Sequence, residues 1–400
     1  VRVKDSMRIA FVSNVVYPFV TGGAEKRIHE IGTRLADRGH DVTVYGRHFW
    51  DGPEEITHEG MTLRAVAPAA ELYNDDRRSI TEALDFAARA LPPLSRRLRN
   101  DEHDVVVASV FPYFPVLSTK LASLGTGTPV VTTWHEVWGD YWEEYLGSLA
   151  VFGKVSEHVT ARTPQHPIAI SGVTADRLAG IGPDRDAIEV VPNGIDTEQI
   201  RTAPRPDDGY DVLFAGRLIE HKNVDLLLEA FDRVCDGRDV TLGIIGDGPE
   251  KERLEARCAS LSNAERVDFL GFLEEYEDVL GHMRAADVFA SPSTREGFGL
   301  TFAEAMAADC SVIAADHPDS AADEVIGDAG FLTAPTTDAL TETLGRALGG
   351  ERPAVDPVER AKRYDWDAVA TQAETVYRRV VGEEVDPAEP EPKRTPATSS

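Results

Sequence analysis

Lysine is scarce in this chain: of its 41 basic residues eight are lysine and 33 arginine, set against 69 acidic residues for a formal net charge of −28. Such a balance argues against nucleic acid as a partner, because phosphate backbones are met by basic surfaces. An acidic, lysine-poor surface suits a high-salt setting, where the Debye length shrinks to ~3 Å at 1 M and self-repulsion is screened. An ordinary acidic enzyme from a GC-rich genome is the plainer alternative. Cysteine is also sparse, and Cys235, Cys258 and Cys310 suggest no disulfide framework. No apolar run is long enough for a membrane span, and the N-terminus shows no basic, apolar, small-residue leader. A reducing cytoplasm is therefore the expected setting.

What the chain has in quantity is strand-loop-helix units. At 400 residues and 42% hydrophobic content two domains are expected, since single cores stop growing near ~250–300 residues. The most informative unit is SPSTREGFGLTFAEAMA, residues 291–307. The preceding ADVFA reads as a short buried strand, Pro292 and Gly297 break it, and helical spacing then resumes. Phe298, Gly299 and Leu300 stand where loop becomes helix, so their N–H groups lack intrahelical acceptors and suit a phosphate. Leu300, Ala303, Glu304 and Ala307 fall at i, i+3, i+4 and i+7, which places a carboxylate on the stripe expected to face inward. No base accompanies it on that face. A pair of ligand hydroxyls is the expected partner, because unpaired buried oxygens cost roughly several kcal/mol.

Glu296, seven intervening residues and Glu304 resemble the E-x7-E signature of the retaining glycosyltransferases of family 4. These have the α/β GT-B fold: two Rossmann-like parallel-sheet domains face each other across a cleft, and a C-terminal helix crosses back to the first. The resemblance implies a hexosyltransferase that needs no cofactor. Its partners would be a nucleotide-diphosphate sugar, UDP- or GDP-linked, and a glycan, lipid-linked or small-molecule acceptor. It also implies roles: Glu296 contacts the donor sugar, the amides of Phe298, Gly299 and Leu300 hold the diphosphate, and Glu304 holds the ribose.

Other segments fit this frame. MRIAFVSN (7–14) is a continuous apolar strand of the kind parallel sheets use. Gly22 and Gly23 then precede a helix with Ile28, Ile31 and Leu35 on one face, at a strand end where open α/β sheets bind ligands. A flexible turn would explain a lone Gly-Gly, but GGAE resembles the family's loop that closes over the donor phosphates. Strand-like 41–46, 61–67 and 104–110 surround a helical stretch from Arg77 to Arg99. That stretch holds six arginines and two acids, Glu82 and Asp85, so it suits contact with an anionic membrane or, equally, a solvated helix with its apolar face inward. The strand within 129–142 ends at His135, whose place at a strand tip points it into the cleft; in the family a histidine here touches the donor sugar near the reacting carbon. Trp134, Trp138, Tyr141 and Trp142 form either a sugar-stacking platform or loop packing. Residues 167–178 and 188–196 resemble the segments that close the family's first domain, with Asn193 and Gly194 making a turn for which a purely structural role is the alternative.

The Pro-rich stretch 203–209 reads as the linker between domains at 7–202 and 210–362. After the strand ending at Gly216, Arg217 and Lys222 supply two cations able to neutralise a departing diphosphate, matching the family's G-R-L and K loop. Asn223 or Asp225 is expected to cap the next helix. Gly246 and Gly248 lack the third glycine of a dinucleotide fingerprint and resemble the family's G-x-G-P turn beside the nucleoside. Residues 267–273 resemble the strand and loop whose backbone reads the base. An amphipathic helix at 363–381 resembles the crossover helix, and 382–400 has the composition of a disordered tail.

The D-x-D strings at Asp184–Asp186 and Asp365–Asp367 lie away from the expected strand tips, so metal-independent transfer is predicted, with Arg217 and Lys222 in place of a cation. Two other readings are an epimerase of the same fold, which would rearrange its sugar without an acceptor, and a non-catalytic nucleotide-sugar sensor. The charge balance carries its own prediction. Folding and activity should rise with KCl into the molar range; equal melting temperature and rate at ~0.1 M and ~2 M salt, where screening differs several-fold, would refute it.

Overall fold

The computed structural model describes residues 6–384 except 21, 75–76, 79, 111–112, 148–149 and 236. Most of the proposed tail therefore lies outside the described residues. Two sheets form the frame. The first runs, edge to edge, through Glu189–Val190, His166–Ala169, Val130–Trp134, Val105–Ser109, Arg8–Val12, Asp41–His48, Met61–Pro68 and Glu55–His58. Its pairings are parallel except the last, an antiparallel hairpin. The second orders Val267–Gly271, Leu242–Ile245, Val212–Ala215, Val288–Ser291, Ser311–Ala315 and Gly330–Thr333, all parallel.

The continuous apolar runs explain the parallel pairing. Val105–Ser109, Val130–Trp134 and Val288–Ser291 are buried at every position, as strands must be when helices cover both faces. The hairpin was not anticipated, since Glu55–His58 is short and charged. The helix expected from Arg77 starts at Ile80 and runs to Asn100, because Arg77–Arg78 instead pair with Tyr73–Asn74. Its Ala83, Phe86, Ala90, Leu94 and Leu98 are buried against the first sheet.

The chain crosses between the sheets twice, and the two crossings touch. Ile195 N–H donates to the Tyr364 carbonyl at 2.7 Å, and Trp366 N–H donates back to the Ile195 carbonyl at 3.2 Å. Asp365 caps the last helix, Trp366–Val380, by accepting from Asp367 N–H, and it also accepts from the Thr197 hydroxyl. Trp366, Val369, Ala373, Val376 and Tyr377 of that helix join the core of the first sheet. Gly194 belongs to this joint: a Cβ there would lie 2.2 Å from the Trp366 ring. The turn expected at Asn193–Gly194 is thus a packing requirement.

Overpacking of this kind costs about 1–3 kcal/mol. Gly194→Ala should lower the melting temperature accordingly; an unchanged melt would show that the indole has room to move.

Candidate active site

In chain order the second sheet reads 3-2-1-4-5-6, so its switch point lies between Val212–Ala215 and Val288–Ser291, where doubly wound sheets bind ligands. A cavity of about 920 Å³ opens there between the two sheets. Gly22, Gly23 and Lys26 reach it from the first side; Arg217, Gly246, Leu300 and Glu304 reach it from the second. Asn193, Gly194 and Trp366 of the joint form part of its wall.

Two loops of the second sheet build the floor by zipping together. Gly216 N–H donates to Ile245, Leu218 N–H to Asp247 and Glu250 N–H back to Leu218. This close approach explains the glycines, because a Cβ on Gly246 would lie 1.9 Å from the Gly216 oxygen and one on Gly248 2.3 Å from the Leu218 oxygen. Both also have positive φ, +139° and +158°. Gly246 faces the cavity while Gly248 is absent from its lining and serves the packing. Arg217, exposed at the cavity wall, has no ion-pair partner among the described residues.

Glu304 is 4% exposed, and the expectation of ligand hydroxyls as its partner is qualified by a protein hydroxyl already there. The Tyr276 hydroxyl lies 2.6 Å from both of its carboxylate oxygens. Burial pushes the carboxyl up to about 7, against the opposing pull of Tyr276 and, more weakly, Lys26; the same contact raises the phenol's own pKa after burial. The expected inward stripe is also corrected. Leu300 is 39% exposed and lines the cavity, while Phe302, Ala303, Ala305 and Met306 are buried beside Glu304. An eight-residue helix wedged between sheet and neighbouring helices has little outward face, and its solvent side is its N-terminal end. Gly299 caps that end with φ +83°. Phe298 is buried with its ring 5.4 Å from Tyr364, and neither residue is among the cavity-lining side chains.

Lys222 and Glu296 meet each other beside this cavity without being part of its lining. The ammonium donates to Glu296 Oε1 in a close, largely buried pair. Glu296 is held by backbone bonds to the 319–321 segment, including Ala321 N–H to its carbonyl at 3.0 Å. Asn223 does not cap the following helix through its side chain. Its backbone is left-handed, φ +50°, and its amide donates to the Pro292 carbonyl at 3.0 Å, tying the Lys222 turn to the Glu296 loop. The carboxylate of Asp225 accepts from Leu226 N–H.

His135 follows directly on Val130–Trp134 and lies in a separate niche with Arg27, Ser109 and Tyr377. Burial, reinforced by the Arg27 charge, pushes its imidazole down to about 3, so the ring is neutral. The histidine nevertheless adjoins the second side: a Cβ on Gly297 would be 3.3 Å from the His135 carbonyl, and Arg295 donates to Glu136 at 2.8 Å. Trp134 and Trp142 are buried, with the Trp138 ring tilted against Trp142 at 4.7 Å, which favours loop packing for the aromatic run.

Sequence reasoning missed Lys26, Arg27 and Tyr276. Arg27 is buried and donates to the carbonyls of Val191 and Pro192 and to Asn193 Oδ1, while burial lowers its pKa to about 10. A signal existed, since Arg27 stands four residues before Ile31 on the helix's apolar face. Tyr276 had none, as nothing local marks a tyrosine 28 residues upstream as the partner of Glu304.

The raised Glu304 pKa has a definite sign. The folded carboxyl binds a proton more tightly than its ordinary value of 4.5, so the stability of the protonated form is lost as pH rises from there toward about 7. Relative to Glu304→Gln, the wild type should lose up to about 3 kcal/mol between pH ~5 and ~8. Chemical denaturation of both at the two pH values tests this; parallel profiles would show the carboxyl is already ionised.

Two family models cover the chain consecutively: "Glycosyltransferase Family 4" over residues 21–199 and "Glycosyl transferases group 1" over 196–364. The phosphatidyl-myo-inositol mannosyltransferase of Mycobacterium tuberculosis (strain ATCC 25618 / H37Rv) is 34% identical over 94% of this chain and 98% of its own. A glycogen synthase of the same strain is 29% identical, over 93% and 94% respectively. Among solved structures, sucrose-phosphate synthase from Thermosynechococcus elongatus superposes with a TM-score of 0.68 at 19% identity, covering 94% of this chain and 99% of that one. Anabaena HepE in complex with UDP and glucose gives 0.64 at 22%, covering 92% and 99%. The fold is GT-B, and the chain belongs to the family 4 glycosyltransferases as a hexosyltransferase.

Proposed function

We propose that the chain moves a hexose from a UDP- or GDP-linked sugar to a lipid-linked or glycan acceptor, with retention at the anomeric carbon and without a metal ion. The observation that carries this reading is the convergence on one cavity of Gly22, Gly23 and Lys26 from one side with Arg217, Leu300 and the buried Glu304 from the other. Glu304 and Tyr276 offer a paired acceptor and donor for ribose hydroxyls. Lys26, Arg217 and the helix end at Phe298 to Leu300 would hold the diphosphate.

Lys222 and Glu296 would part as donor binds. The lysine would turn to the departing diphosphate, the stronger anion, while the carboxylate would turn to sugar hydroxyls together with neutral His135. Retention follows the family reading, in which the acceptor attacks from the face the leaving group vacates. The names of the relatives support both acceptor classes: one is a phosphatidyl-myo-inositol mannosyltransferase, another a glycogen synthase.

No helix among the described residues is long and apolar enough to cross a membrane. Contact with an anionic membrane through 77–99 would be electrostatic, since the apolar face of that helix is committed to the core while Arg89, Arg96, Arg97 and Arg99 remain exposed. The enzyme would then work in the cytoplasm, at the membrane face.

The test is a thermal-shift panel of UDP, GDP and their sugars to identify the donor, followed by NMR of the product's anomeric configuration. Glu304→Ala should weaken donor affinity roughly 10- to 150-fold, the worth of hydrogen bonds to a charged group. Lys222→Ala should instead lower kcat more than donor binding, because the charge it meets is larger in the transition state. An inverted product, or normal turnover in Lys222→Ala, would overturn this assignment.

A further inference from the structure

On the outer edge of the first sheet, the hairpin between Glu55–His58 and Met61–Pro68 folds back toward the helix Gly23–Asp37. One ring nitrogen each of His29 and His58 and one carboxylate oxygen of Glu59 lie within 4.8 Å of one another there. His29 Nε2 is 3.0 Å from Glu59 Oε2. His29 Nδ1 and His58 Nε2 are buried without a hydrogen-bond partner among the described residues, an arrangement native interiors seldom tolerate. Tyr17 packs on the His29 ring at 4.6 Å and Phe19 on His58 at 5.8 Å, so the imidazoles are walled from water on one side. The Glu59 side chain is 58% exposed on the other.

The turn itself is unusual for a glutamate. Glu59 and Gly60 have φ of +45° and +78°, the two-residue conformation that asparagine or glycine adopts most readily. A glutamate there brings its carboxylate to His29, which a glycine could not do.

We propose that His29, His58 and Glu59 bind a divalent transition-metal ion, zinc being the ion whose chemistry these donors fit. Two imidazoles and one carboxylate are a three-ligand zinc set, with water from the exposed side as the fourth ligand. Magnesium and calcium, which favour all-oxygen shells, fit poorly. Binding requires the donors to draw closer, and the hairpin tip is the part free to move. The site lies outside the 920 Å³ cavity, and no step of sugar transfer passes through it. Its effect would be mechanical: the ion would tie the edge hairpin to the helix that begins at Gly23. It would also fix His29 beneath Tyr17, which itself lines the cavity.

The test uses the full chain, stripped with chelator and held in ~1 M KCl to screen diffuse binding by the acidic surface. Titration with ZnCl₂ followed by calorimetry should saturate at one ion per chain and raise the melting temperature. CoCl₂ should give the intense visible absorption of a four-coordinate site. His58→Ala and Glu59→Ala, both at the hairpin tip and clear of the core, should each weaken zinc binding at least tenfold. Absence of saturable one-to-one binding in the wild type overturns the proposal, as does undiminished affinity in these two variants.

Discussion

The structure turns on the contact between the two crossings of the chain. Each sheet could form on its own apolar runs, but their separation and tilt are set where Ile195 and Trp366 exchange backbone bonds with 364–366 and 195 and where the Trp366 ring lies on Gly194. Two crossings that touch make a joint stiffer than either alone, because the peptide bonded at 195 also closes the end of the last helix through Asp365 and Thr197. The joint forms part of the cavity wall. Its packing therefore decides how far Lys26 and Gly22 stand from Arg217 and Glu304, residues nearly 200 to 280 positions apart in the chain.

Two of the charges at or beside the cavity are held in compensated form, although Arg217 has no ion-pair partner among the described residues. Glu304 is met by the Tyr276 hydroxyl, with Lys26 a weaker influence, and Lys222 is neutralised by Glu296. Both arrangements limit the cost of burying charge, since an unpaired buried ion would be penalised by roughly several kcal/mol. Under the proposed transfer, ligand hydroxyls would compete with Tyr276 for Glu304, and phosphate would compete with Glu296 for Lys222. Ligand entry would then exchange partners with few new desolvated charges, which would keep the donor's binding energy for orientation.

Much of the frame was legible because it depends on local pattern. Continuous runs such as Val105–Ser109 and the strand-loop-helix unit at 288–307 read directly as parallel, doubly covered sheet. Glu304 was readable as a buried carboxylate from spacing alone. What escaped was whatever depended on contacts between distant segments. The spacing of Leu300 and Ala307 could not reveal that the short helix presents its first turn to a cavity. Nothing in the sequence near Asn223 showed that its amide serves Pro292 instead of the helix. Gly246 and Gly248 were recognised as a turn, but their need for a bare backbone arises from the 216–218 loop, thirty residues earlier. Arg27 was the recoverable miss, an arginine on an apolar helical face that only carbonyl partners can justify.

The distribution of the two cation types follows from the same physics. Arginine dominates where the chain must hold carboxylates of remote segments in fixed geometry. Arg34 and Arg38 of the helix Gly23–Asp37 pair with Asp367 and Glu374 of the last helix at 2.8 and 3.0 Å. Arg47, 0% exposed, forks between Glu82 and Asp85 beneath the helix Ile80–Asn100. Planar, multidentate donors lose little freedom per bond; a part-exposed pair such as Arg34–Asp367 contributes only about 0.2–1 kcal/mol, so its value lies in register between helices, whereas the buried Arg47 fork satisfies charges that would otherwise be left unpaired. Lysine is a compact, rotatable charge that lets go more easily. Of the eight lysines in the chain, Lys26 lines the cavity and Lys222 sits beside it on Glu296. A guanidinium at 222 could lock both Glu296 oxygens in a bidentate pair. An ammonium would leave that carboxylate freer to exchange its partner if phosphate arrives, which is the movement the proposed transfer asks of position 222.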